Sequence, residues 1–213
     1  MASLSTARFR VFEERTVRTV SASSPPRHNS RNVRTTERLV LRPWRAADAE
    51  PFAALNADPE VRRFVGDGRP LTRAESDAEL ESITAHWDRH GFGLWCAAAR
   101  VEPDRALGFV GLAIPSFLPA VLPAVEVGWR LARPVWGRGL ATEGARAALA
   151  EAFGPLALAR VIAIVYPANV ASLRVAAKLG MRRVSDRVHP LTRRRVRVLA
   201  ISAEDAASTA PAP

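Results

Sequence analysis

The chain has 213 residues, 48% of them hydrophobic, a single cysteine and a formal net charge of +10. That length suits one well-buried domain rather than two, and no apolar run approaches the twenty residues of a membrane-spanning helix. One cysteine excludes a disulfide framework, and with no secretory signal evident at the N-terminus a reducing, cytoplasmic location is expected.

The charge is unevenly spread. Seven arginines (Arg8, Arg10, Arg15, Arg18, Arg27, Arg31, Arg34) face only Glu13 and Glu14 between Met1 and Thr36, which places half the net charge there. The remainder of the basic balance is arginine with one lysine, Lys178, so it does not by itself select a nucleic-acid partner. Residues 1–36 include "SASSPPRHNSRN", lack sustained periodicity and are expected to form a mobile Arg/Ser-rich extension. An RNA-binding arm or a misassigned start are the alternatives. The folded domain is expected over residues 37–203, with 204–213 a disordered tail.

"TERLVLRPW" opens the domain: Leu39 and Leu41 alternate with Val40 and Arg42, and Pro43 closes a first strand. "RAADAEPFAALNADPEV" carries Phe52 and Leu55 at helical spacing, with Asp48 as the expected cap and Pro51 in the first turn. "LTRAESDAELESITAHWDRH" predicts a second helix from Leu80, Ile83 and Trp87. Three strands follow, "GFGLWCAAAR", "RALGFVGLAI" and "AVEVGWRLA"; Cys96 in the first is a packing residue. A glycine-rich turn then leads into a helix. Strand "ARVIAIVYP", helix "NVASLRVAAKLG" and the pair "MRRVSDRV" and "RRVRVLAIS" complete a mixed α/β chain.

The turn and helix "WGRGLATEGARAALAEAF", Trp136 to Phe153, set glycines in front of a helix N-terminus. Backbone N–H groups there lack internal partners and the helix dipole favours an anion, so this is a phosphate cradle in the making. A P-loop needs Lys and Ser/Thr after its second glycine; Ala145 and Arg146 stand there instead. A dinucleotide fingerprint needs a third glycine where Thr142 stands, and an acid ending the next strand. Coenzyme A, whose pyrophosphate can sit on such a turn, remains.

"TERLVLRPW", "EVGWRLARPVWGRGLATEGARAAL" and "NVASLRVAAKLGM", in that order, resemble the GNAT N-acetyltransferase superfamily and within it the RimJ/RimL type, over roughly Thr36 to Ser202. The resemblance implies an α/β GNAT fold: a mostly antiparallel twisted sheet of about seven strands and about four helices, with a splayed central strand pair that binds CoA. It implies acetyl-CoA as co-substrate, cradled by Trp136, Gly137, Arg138, Gly139, Leu140, Ala141 and Thr142. Backbone groups of Trp129, Arg130 and Leu131 would line the pantetheine slot on a bulged strand, one N–H polarising the thioester carbonyl.

In "VEVGWRL", Val125, Val127, Trp129 and Leu131 share one face and Glu126, Gly128 and Arg130 the other. On pattern alone Glu126 fits a solvated carboxylate as well as a buried one; the resemblance implies a general base acting through water. Asn169 caps the following helix, whose core face is expected at Val170, Leu173 and Ala177. The resemblance implies that Asn169 bonds the pantetheine and that Ser172 donates the proton to the leaving sulfur. Tyr166 is expected to line the cleft.

His86 and His90 have metal-pair spacing but no third ligand in reach, so no metal site is expected. The expected activity is acetyl transfer to a primary amine of unknown identity by direct attack in a ternary complex. The loops "FVGDGRP", "PSFLPAVLPA" and "HPLTRRR" would select that amine. A noncatalytic CoA-binding or RNA-associated protein of the same fold, and use of a larger acyl-CoA, are the alternatives. No membrane or nucleic-acid partner is expected, and the state is monomer or homodimer.

Overall fold

The computed structural model describes residues 32–209. Most of the expected extension and the last four residues of the expected tail lie outside them. The part of the extension that is described belongs to the sheet. Strand β1 (Arg34–Thr35) pairs with β2 (Leu39–Arg42), and the Trp95 indole donates to the Asn32 carbonyl at 2.8 Å.

A short helix α1 (Ala49–Ala57) ends at Asp58, whose side chain accepts from the Glu60 N–H and starts a separate turn of helix, α2 (Pro59–Arg62). The stretch anticipated as one helix is thus two, divided by a residue that caps and a proline that cannot donate. Asp48 stands just before α1, but its carboxylate makes no capping bond to that helix. It is buried against Arg42 in a two-pronged pair, 2.7 Å on each side. Helix α3 (Arg73–His90) is held by a Thr72–Glu75 capping box and stopped by Gly91 in the left-handed region.

Strands β3 (Leu94–Ala99), β4 (Glu102–Ala113), β5 (Glu126–Leu131), β6 (Arg160–Val165), β7 (Arg182–Val188) and β8 (Arg195–Ser202) complete one eight-stranded sheet in the order β1-β2-β3-β4-β5-β6-β8-β7. Helix α4 (Leu140–Phe153) joins β5 to β6, and α5 (Val170–Lys178) joins β6 to β7. Helix α6 (Ala203–Thr209) follows β8 where a disordered tail was expected. The mixed α/β fold is as anticipated, with one more strand and two more helices.

Strand alternation sorts side chains to two cores. Val110, Leu112, Val127 and Val161 pack against Ala145, Ala148 and Leu149 of α4 on one face. Phe109 turns to the other face, against Phe52 and Leu55 of α1, Val61 of α2 and Ile83 of α3. Gly144 sets the approach of α4: a Cβ there would come 3.0 Å from Val110 Cγ2. The core face of α5 is shifted from expectation, since Ala176 and Leu179 are buried while Val170 is 51% exposed and Ala177 is exposed.

Candidate active site

The sheet opens between β5 and β6. These two strands are parallel and share a single paired position, Glu126 with Ile162, after which they diverge. On the other side, β4 and β5 stay in unbroken register from Gly108–Leu131 to Ala113–Glu126, so the bulge expected in β5 does not interrupt that ladder. The Ala132 N–H bonds Leu107 across this ladder. By antiparallel alternation, the backbone groups of Arg130, Gly128 and Glu126 therefore also face β4. Those of Val127, Trp129 and Leu131 face the opening. Trp129 thus presents backbone to the slot, whereas Arg130 does not; Arg130 contributes its side chain to the adjoining cleft.

Glu126 occupies the fork. In a continuing ladder the Ile164 N–H would find a carbonyl on β5; instead it donates to Glu126 Oε1 at 3.3 Å. The carboxyl fills the place of a lost strand bond. Removal from water pushes its pKa from 4.5 up to about 8, a rise that the Ile164 bond opposes.

A cleft of about 320 Å³ runs from this fork along the α1–α3 face of β5. It gathers Glu126, Trp129 and Arg130 of β5 with Asn169 and Ser172 at the start of α5, two stretches about forty residues apart in sequence, and Tyr166 lines it as expected. Asn169 caps α5, its Oδ1 accepting from the Ser172 N–H at 3.1 Å. All three loops expected to select the acceptor reach the cleft, through Phe64 and Gly66, Phe117, and His189. The Tyr166 hydroxyl ties two of them, bonding the Gly66 carbonyl at 3.0 Å and Thr192 Oγ1 at 3.1 Å. Arg194 lies over the same ring, 4.2 Å from its centroid.

The glycine turn stands apart, outside the residues that line this cleft. Gly137 and Gly139 have φ of +75° and +80°, a conformation that side chains resist, and nothing lies within 4 Å of where a Gly137 Cβ would sit. Gly139 occupies the N-cap position of α4 without a side chain to cap it. The first-turn N–H groups of Leu140, Ala141 and Thr142 therefore have no carbonyl of their own helix to receive them. This backbone fits a pyrophosphate. Trp136, 47% exposed, fastens the turn to the end of β5 by donating from Nε1 to the Leu131 carbonyl at 2.6 Å. Arg138 offers its carbonyl to Arg38 Nη1 at 2.8 Å, and Glu143 accepts from Thr36 and Arg38, which locks the turn to the β1–β2 edge.

Sequence reasoning missed a charged cluster at the far end of the cleft. Arg130 Nη1 donates to Asn56 Oδ1 at 2.7 Å and to Glu79 Oε2 at 3.0 Å, and its guanidinium lies over the Phe109 ring. Arg62 Nη1 stands 4.0 Å from the same Glu79 oxygen. Its partners come from α1, α2 and α3, so only the fold brings them to β5. Of the histidine pair, His86 is held by backbone: its Nδ1 meets the Phe92 carbonyl at 2.9 Å and its Nε2 accepts from the Ile114 N–H at 3.2 Å. Among the described residues no group of three or more potential metal ligands occurs.

The model of the acetyltransferase (GNAT) domain family matches residues 38–182. A curated relative from Aspergillus fumigatus, named FsC-acetyl coenzyme A-N(2)-transacetylase, is 34% identical over 70% of this chain; the chain spans 64% of that relative's length. The acetyltransferase structure from Agrobacterium tumefaciens superposes with a TM-score of 0.67 at 26% identity, covering 84% of this chain and 99% of the other. Mycobacterium smegmatis RimJ, solved with CoA-disulfide, shares the fold at a TM-score of 0.65 and 22% identity, over 81% of this chain and 88% of its own. The chain belongs to the GNAT acetyltransferase family, a family of acetyl-CoA-dependent acyltransferases.

Proposed function

We propose that the protein moves the acetyl group of acetyl-CoA to a primary amine, on a protein N-terminus or a small molecule, by direct attack in a ternary complex. The Glu126 carboxyl at the β5–β6 fork carries this reading. It sits where the sheet opens, its pKa is raised to about 8, and Ser172 and Asn169 line the same cleft. A base whose pKa lies near the working pH can take a proton from an ammonium and still hold it weakly enough to pass it on.

Acetyl-CoA supplies the acyl group as an activated thioester. The N–H groups from Gly137 to Thr142 hold its pyrophosphate, and the Asn169 amide, whose Nδ2 donates to nothing among the described residues, reaches the pantetheine. Glu126 accepts the acceptor's proton through water. The freed amine bonds the acyl carbon as the carbon–sulfur bond breaks, with the slot-facing Trp129 N–H polarising the carbonyl. The Ser172 hydroxyl gives its proton to the departing sulfur and regains one, through water, from the nitrogen, which sheds its second proton as the amide forms. Trp136 ahead of the glycine turn supports assignment to the RimJ/RimL type. Cys96, the single cysteine of the sequence and free, is in keeping with a reducing, cytoplasmic location.

Glu126→Gln keeps shape and hydrogen bonding but removes the base. With a verified amine acceptor, turnover should fall by about 10²–10⁴-fold while acetyl-CoA affinity measured by calorimetry holds. Turnover equal to that of the unaltered protein, across pH, would return Glu126 to a merely structural role.

A further inference from the structure

We propose that the acceptor carries a carboxylate as well as the reacting amine, and that Arg130, backed by Arg62, receives it at the α1–α3 end of the cleft. The inference rests on the amine-acetylation reading above and names the class of amine.

Two guanidiniums lie largely withdrawn from water at this end of the cleft, and their charges are not balanced. The Arg62 and Arg130 side chains are 7% and 10% exposed, and both lean on one carboxylate, Glu79. Asn56 is fully buried and already spends its amide on Ser76 and Glu79 and its oxygen on Arg130. Two guanidiniums in reach of one carboxylate leave a net positive charge there; Asp67, the other carboxylate that acts on Arg62, is itself paired with Arg69 at 3.2 Å. Their donors are also underused. Arg130 Nε is buried with no partner, and Arg130 Nη2 makes no hydrogen bond to any described residue. Arg62 makes one hydrogen bond, from Nε to the Arg69 carbonyl at 3.2 Å, and both its Nη atoms are left without one. Burial and the facing Arg130 charge lower the Arg62 pKa, the mark of a cation short of counter-charge. Buried charges are ordinarily paired and hydrogen-bonded in full.

The other charged and titratable groups of the cleft do not supply the missing anion. Glu126 lies at the opposite end, four strand residues away or roughly 13 Å between Cα atoms. His189 is stacked on Phe117, and Arg194 over Tyr166 adds a further cation. Gly128 between Glu126 and Arg130 has no side chain, and Leu94 Cδ2 lies 3.7 Å from where a Cβ would sit, so the floor between base and cation is low and bordered by an apolar side chain. A ligand lying along β5 therefore meets a proton acceptor at one end and a guanidinium at the other. An ω-amino carboxylate or a short peptide-like acid has that form; a polyamine would place a second cation against Arg130.

The full chain is assayed with acetyl-CoA and a chain-length series of ω-amino carboxylates, their matched ω-amino carboxamides and α,ω-diamines, read by thiol release. Separately, its melting temperature is followed with simple alkyl carboxylates against chloride at equal ionic strength. At the best chain length, kcat/KM for the carboxylate should exceed that for its carboxamide by about 10–100-fold, the worth of one hydrogen-bonded charge. Arg130→Gln should bring that ratio close to one, and should remove any stabilisation by carboxylates. Arg130→Lys should restore part of the ratio. Carboxamides or diamines used as well as carboxylates, with Glu126→Gln silencing all of them, would overturn the carboxylate subsite and leave the acetylation reading standing. If no amine in the panel releases thiol, melting decides: carboxylate stabilisation lost in Arg130→Gln upholds the subsite, and stabilisation no greater than chloride's overturns it.

Discussion

Arg42 and Arg130 both lie beside carboxylates with little exposure, and they differ in how fully they are matched. Arg42 and Asp48 are 2% and 1% exposed and meet in a two-pronged pair, with the Pro103 and Pro43 carbonyls taking further guanidinium bonds. Arg130 shares its only carboxylate with Arg62 and keeps an unpartnered Nε. The first site is closed upon itself; the second is one anion short, and it borders a cleft. Completeness of pairing, more than burial, separates a structural ion pair from a binding site.

The helix starts repeat the contrast. Helix α3 has its first turn capped by Thr72 and Glu75, whereas α4 begins at a glycine that can cap nothing. The N-terminus that the sequence leaves unfinished is the one available to a phosphate.

Breaking the closed pair should have the largest effect on stability. Asp48→Ala strands the Arg42 charge and should cost about 3–5 kcal/mol in denaturant unfolding, whereas replacing both residues with apolar ones of similar volume recovers most of it. Glu79→Gln should cost well under half as much, because Glu79 borders the cleft and retains 27% of its side-chain exposure. Equal losses at the two sites would erase the distinction.

The helix starts give the next test. Gly139→Asp puts a side chain in a left-handed position that Asp tolerates better than most residues, so stability should fall by only about 1 kcal/mol. Its carboxylate would stand beside the pyrophosphate, and calorimetry should find acetyl-CoA binding lost. Thr72→Ala is the converse: about 1 kcal/mol less stable with acetyl-CoA affinity intact.

The last effect is a slope, modest per pH unit. The folded pKa of Glu126, about 8, exceeds its unfolded value of about 4.5, so the folded protein holds this proton more tightly. The stability this contributes is complete below the unfolded value and is lost as pH rises toward 8, by at most about 1.4 kcal/mol per pH unit. Glu126→Gln should flatten unfolding free energy across that window. Activity should move the opposite way in the unaltered protein, rising as the carboxylate forms.

The order of strands and helices, the glycine turn and the Asn169 cap were legible because each depends on neighbours in sequence. Alternation in "VEVGWRL" correctly separated Glu126 from Val127, but a carboxylate at a strand fork and one in solvent have the same local pattern. Only the divergence of β6, thirty-odd residues further on, decides between them. Asp48 misled for a similar reason: a short acid before a helix reads as a cap until Arg42 is seen to be buried beside it. The α5 core face was misplaced because its small alanines give periodicity little contrast. The Asn56–Glu79–Arg130 contact joins residues 74 and 51 positions apart, beyond any local signal.

The hydroxyl of Tyr166, held between the Gly66 loop and the Thr192 loop, has a practical consequence. This is the only tyrosine in the chain. Isotope labelling of tyrosine alone would give a spectrum with one phenol signal, already assigned, from the wall of the cleft. Its shift and exchange rate would follow occupancy of the acceptor side without a chromophore, a coupled enzyme or knowledge of the amine. Five tryptophans make intrinsic fluorescence a poor substitute.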